Sequence, residues 1–80
     1  MGYPRPRPQN LAEKLLQIRH RRGMSQSEVG EYLELKDYRV VSKYELGKNE
    51  PPLTTLLAYA RLANVQVENL IDDDQDLGEQ

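Results

Sequence analysis

The sequence has no cysteine, no phenylalanine and no tryptophan. The lack of cysteine excludes disulfides, thiolate metal sites and cysteine nucleophiles, so the interior is held by packing alone. That composition fits a reducing cytoplasm. There is no long apolar run either, and the opening MGYPRPRPQN reads as neither a signal peptide nor a membrane span. His20 is the single histidine; it is flanked by arginines at the end of an expected helix and reads as a surface group. Asp72, Asp73, Asp74 and Asp76 lack the spacing and the glycine of a calcium-binding loop. Eighty residues make one small domain with a modest core and no room for a conventional closed pocket. Enzyme activity, a metal and a cofactor are therefore not expected.

What is present is unevenly charged. The formal net charge is −2, yet residues 1–48 carry ten Lys/Arg against six Asp/Glu, and residues 49–80 carry one against seven. A polyanionic partner responds to the local field, so the total does not decide against one. Pro4, Pro6 and Pro8 alternate with Arg5, Arg7 and Gln9, which removes backbone donors and marks residues 1–9 as a flexible arm, extended or disordered. Residues 72–80 read as a solvated acidic tail. The folded domain is expected over residues 10–71.

Within it the apolar spacing is three to four throughout. Asn10 is the expected N-cap of a first helix, with Glu13 as capping-box partner and Leu11, Leu15 and Ile18 as the inner stripe. Arg19, His20, Arg21 and Arg22 suit the carboxyl end, and Gly23 stops it. Ser25 and Glu28 open a second helix with Val29 and Leu33 inward. Asp37 is the expected N-cap of a third helix over residues 38–46, with Val41 and Tyr44 inward and Gly47 ending it. Leu53, Leu56, Leu57, Ala60 and Ala63 supply a fourth, and Val67, Leu70 and Ile71 a short fifth. The chain reads as all-α, five helices around one core.

Gly23-Met24-Ser25-Gln26, Val29, Leu33, Leu35, Val41-Ser42-Lys43-Tyr44-Glu45 and Gly47-Lys48-Asn49-Glu50-Pro51 stand in the order and near the spacing of a known pattern. With the runs at 56–61 and 65–71, they resemble the Cro/C1-type (XRE, lambda repressor-like) helix-turn-helix family over about residues 11–71. The resemblance implies a compact five-helix domain whose third helix enters the major groove of duplex DNA, commonly as half of a symmetric dimer. It implies a phosphate contact for Gln26, base reading from Tyr38 and Arg39, further contacts from Ser42 and Lys43, and backbone contacts from Lys48 and Asn49. It also implies an internal ion pair between Arg19 and Glu45; Arg19 has a second reading as a plain helix-end charge. Two departures stand out. Lys36 is one residue more than the usual motif, so that either the turn lengthens or the third helix starts early. Gly30 replaces the usual alanine.

These features lead to a sequence-specific regulator acting as a repressor by occupying duplex DNA without a cofactor. A DNA-binding antitoxin with a partner toxin, and a protein-interaction module, are the alternatives. A homodimer, modest or DNA-assisted, is expected, with Val65, Val67, Leu70 and Ile71 as its candidate surface.

Overall fold

Leu11, Leu15 and Ile18 line one face of α1 (Leu11–Arg21) and are all buried. The computed structural model describes residues 8–78, so Arg5 and Arg7 of the expected arm lie outside the described residues. Lys14 belongs to the same buried stripe, at only 6% exposure. Its ammonium donates to the carbonyls of Asn69 at 2.8 Å and Asp72 at 3.0 Å, which offsets the loss of water around the charge. The expected Asn10 cap does not form through its side chain. Instead the Asp73 carboxylate accepts from the backbone N–H groups of Gln9 at 2.9 Å and Asn10 at 3.0 Å.

Ser25 opens α2 (Gln26–Tyr32) with a complete capping box: its hydroxyl accepts from the Glu28 N–H, and the Glu28 carboxylate accepts from the Ser25 N–H. The following turn is the longer of the two alternatives left by Lys36. Glu34 adopts a left-handed φ of 58°, the Leu35 N–H returns to the Gly30 carbonyl at 2.9 Å, and α3 (Arg39–Glu45) begins one residue later than expected. Gly30 is required by close approach, because a Cβ there would stand 2.5 Å from the Tyr38 Cβ. Val41 and Tyr44 are buried on the inner side of α3. Gly47, at φ 76°, turns the chain, and the N–H groups of Lys48 and Asn49 both bond back to the Lys43 carbonyl.

α4 (Leu53–Ala63) packs through Leu56, Tyr59, Ala60 and Ala63. Its expected stripe is thus rotated: Tyr59 is fully buried, while Leu53 and Leu57 are 72% and 41% exposed. Asn64 closes α4 in the left-handed conformation, and one turn of α5 (Glu68–Ile71) buries Leu70. Among the described residues these five helices surround a single cluster, with α1 packed against α3, α4 and α5 and α2 packed against α3.

The acidic segment departs from the expectation of a solvated tail. Leu77 is 4% exposed and belongs to the core cluster. Around it the Arg21 guanidinium donates to the Gly78 carbonyl at 2.7 Å, and the Asn69 amide donates to the Asp76 carbonyl at 3.0 Å. The carboxylates of Asp72, Asp73, Asp74 and Asp76 stay at the surface while the segment's backbone and its one leucine dock against the domain.

Candidate nucleic-acid interface

α3 is seven residues long and its periodicity divides it cleanly. Val41 and Tyr44 face the core; Tyr38, Arg39 and Lys43 are exposed, and Ser42 is half-buried between them. Lys48 and Asn49 are exposed in the loop that folds back on the end of α3. The six residues thus occupy one end-to-end run of the helix and its following turn.

Behind this run lies a polar clamp. Arg19 Nε donates to Glu45 Oε2 at 2.7 Å and Nη2 donates to Oε1 at 3.2 Å, while Nη1 donates to the Met24 carbonyl at 3.1 Å. Glu45 Oε1 also accepts from the Gln26 amide at 3.0 Å. One arginine of α1 therefore fixes the entrance to α2 and the end of α3 together. The Glu45 hydrogen bond holds the Arg19 guanidinium in its charged form, raising its pKa against the opposing effect of burial. Tyr59 lies fully buried nearby, and burial pushes its phenol well above the ordinary range, so it stays neutral. The Gln26 amide donates to Glu45, and the second N–H of its carboxamide has no acceptor among the described residues.

Arg39 and Asp37 form an exposed pair at the start of α3. Arg39 Nε donates to Asp37 Oδ1 at 3.0 Å, Nη2 donates to Oδ2 at 3.0 Å, and the Arg39 backbone N–H donates to the same Oδ1 at 3.0 Å. Asp37 caps the helix as expected in kind, although Tyr38 stands between it and the first helical residue. The pairing with Arg39 was missed from the sequence; the spacing of two residues across a helix start was the available signal. These hydrogen bonds hold the Asp37 carboxyl below the usual carboxylate range.

Two short helices packed on each other and joined by the turn over residues 33–38, the second presenting exposed cationic and polar side chains and tied to α1 through Arg19, form a helix-turn-helix. A helix-turn-helix family model matches residues 15–70, well over half of the chain. The chain belongs to the Cro/C1-type helix-turn-helix family. No curated protein matches it closely enough to stand as a relative. As a Cro/C1-type domain it is a DNA-binding regulatory module and not an enzyme. Among the described residues, no group of three His, Cys, Asp or Glu side chains is placed to hold a metal ion. No described helix is long and apolar enough to cross a membrane.

The apolar surface expected for a dimer is redistributed. Leu70 is fully buried, and Val65, Val67 and Ile71 are half-buried against the core cluster. The leucines that remain exposed are Leu46, Leu53 and Leu57. Leu53 and Leu57 are one helical turn apart on the outside of α4, and Leu53 lines a groove with Pro51, Pro52, Leu56 and Ile71.

Proposed function

We propose that this Cro/C1-type domain is a sequence-specific repressor that occupies duplex DNA in the cytoplasm with α3 in the major groove. The observation that carries this reading is the division of α3: Val41 and Tyr44 anchor it while Tyr38, Arg39 and Lys43 project outward beside the loop bearing Lys48 and Asn49. In this reading Arg39 and Tyr38 meet base edges, with Ser42 one turn on. Lys43, Lys48, Asn49 and the free N–H of Gln26 meet phosphates and set the register. The Arg19–Glu45 clamp keeps the reading helix fixed relative to α1 and α2.

A helix of seven residues spans only about 10 Å and reaches few base pairs. Two copies related by a two-fold axis double the contacts and set the reading heads about 34–36 Å apart. The groove edged by Leu53 and the neighbouring Leu57 supply exposed apolar area for the second copy. The one Lys/Arg against seven Asp/Glu over residues 49–80 opposes close approach of two copies, which favours a modest dimer completed on DNA.

Selection of bound duplexes from a random pool tests the reading. A palindromic consensus is expected, with half-sites one turn of the duplex apart, and sedimentation of the complex should give two chains per duplex. Binding without base preference, or one chain on an asymmetric site, would remove the sequence-specific or the dimeric part respectively.

A further inference from the structure

A guanidinium offers two forks of paired donors: a lateral one from Nε and one Nη, and a terminal one from the two Nη groups. In Arg39 the lateral fork is taken by Asp37, through Nε to Oδ1 at 3.0 Å and Nη2 to Oδ2 at 3.0 Å. Nη1 and the second N–H of Nη2 make no hydrogen bond among the described residues, and the Arg39 side chain is 79% exposed. The carboxylate is itself fixed, because its Oδ1 also accepts from the Arg39 backbone N–H. Side chain, backbone and carboxylate thus close a small ring that leaves the terminal fork unoccupied and exposed.

An exposed ion pair of this kind contributes little to folding, since both charges remain hydrated and the pair is screened by salt. Its consequence lies in recognition. A long arginine free to rotate loses its rotamer freedom when it binds; one already held by its lateral fork has less to lose. Guanine presents two acceptors, O6 and N7, side by side on its major-groove edge, and the terminal fork matches that pair.

We propose that Asp37 is a specificity-determining positioning residue, holding Arg39 by its lateral fork so that the terminal fork meets the O6 and N7 of one guanine. The inference rests on the reading of α3 as the base-reading helix. Asp37 has a second effect in the same direction. Its negative charge near the phosphates disfavours binding that lacks the guanine contact, so it lowers affinity for random duplex while supporting affinity for the right one. Lys43, one turn along α3, contributes to the field that keeps this carboxylate ionised.

The test uses the full chain, with Asp37→Asn, Arg39→Ala and the double substitution. Each is titrated at fixed salt against the duplex selected by the unsubstituted chain, that duplex with the contacted guanine replaced by adenine, and a random duplex. Asparagine keeps an oxygen for the Arg39 N–H, and circular dichroism melts establish that each variant is folded. The unsubstituted chain should prefer guanine by about tenfold or more. Asp37→Asn should lose most of that preference while binding random duplex more tightly; in the Arg39→Ala background it should change the guanine preference no further, while the gain on random duplex remains. A purely structural cap would instead weaken both duplexes together, and that result overturns the inference. So does an unchanged guanine preference in Asp37→Asn, or a selected site at which Arg39→Ala alters no base preference; in those cases sequence-specific binding itself still stands. An unsubstituted chain that selects no sequence overturns both.

Discussion

Arg19 and Glu45 meet in a two-pronged contact, 2.7 Å from Nε to Oε2 and 3.2 Å from Nη2 to Oε1, across 26 residues of sequence. Their side chains are only 16% and 5% exposed. Removing one partner leaves the other charge poorly hydrated. Glu45→Ala is expected to lower the unfolding free energy by about 3 kcal/mol in urea titration. Replacing both, Arg19→Met with Glu45→Met, should recover much of the loss, because two apolar side chains of similar length no longer carry a desolvated charge. A double variant as unstable as Glu45→Ala would count against this account.

Lys43 lies on α3 and Lys48 in the loop after it, and both are exposed. Lys43→Gln and Lys48→Gln should each weaken binding to specific and random duplex alike, and reduce the slope of log affinity against log salt by about one. Titrations at several salt concentrations check this. An unchanged slope for both would move the phosphate contacts elsewhere.

Glu34 holds a left-handed φ of 58° in the turn between α2 and α3. Glycine tolerates that conformation without the Cβ conflict, though it loses more freedom on folding. Glu34→Gly is expected to raise the unfolding free energy by about 0.5 kcal/mol with unaltered DNA preference. A fall in Tm would show that the Glu34 side chain contributes more than its backbone conformation costs.

Asp73 accepts from the backbone N–H groups of Gln9 and Asn10, which hold its carboxyl below the ordinary range, with the Lys14 charge acting in the same direction. A carboxyl with a depressed folded-state pKa stabilises the fold above its unfolded value, and that contribution is lost as pH falls through the folded value. Acid denaturation should therefore steepen below about pH 4, and Asp73→Asn should flatten that limb while leaving the neutral-to-basic side parallel. Melts from pH 7 to pH 2 check this; identical pH profiles for the two proteins would refute it.

Much of the fold was legible because local signals agreed with the tertiary arrangement. The Ser25–Glu28 box, the stripe Leu11–Leu15–Ile18 and the pair Val41–Tyr44 all behave as their spacing requires. The misjudged elements depend on partners far along the chain. At the start of α1 the Asn10 backbone N–H, which a capping box would give to Glu13, goes to Asp73, 63 residues away. Lys14 lies three residues after Leu11 and four before Ile18, so its burial was written in the periodicity. Its charge obscured that signal until the carbonyls of Asn69 and Asp72 were seen to receive it. Leu77, alone among acidic residues, has no periodic companion to announce it. In α4 the apolar run was broad enough to admit two orientations, and the bulk of Tyr59 favoured the one that exposes Leu53 and Leu57. The exposure of Tyr38, Arg39 and Lys43 was readable by elimination once Val41 and Tyr44 were placed inward. The Asp37–Arg39 contact was signalled only by its two-residue spacing, which does not fix it because the contact also depends on the rotamer of a long exposed side chain.

The absence of a side chain at Gly30 separates two kinds of freedom in this molecule. At position 30 the neighbouring helix start stands so near that any L-residue must push Tyr38, and with it the origin of α3, out of place. At positions 39 and 43 the side chains are exposed and can be exchanged without disturbing the core, although a change at 39 also releases Asp37. If α3 reads DNA as proposed, a lineage carrying this module can rewrite its vocabulary of targets at the outward positions, while the grammar that holds α3 in place stays closed to revision.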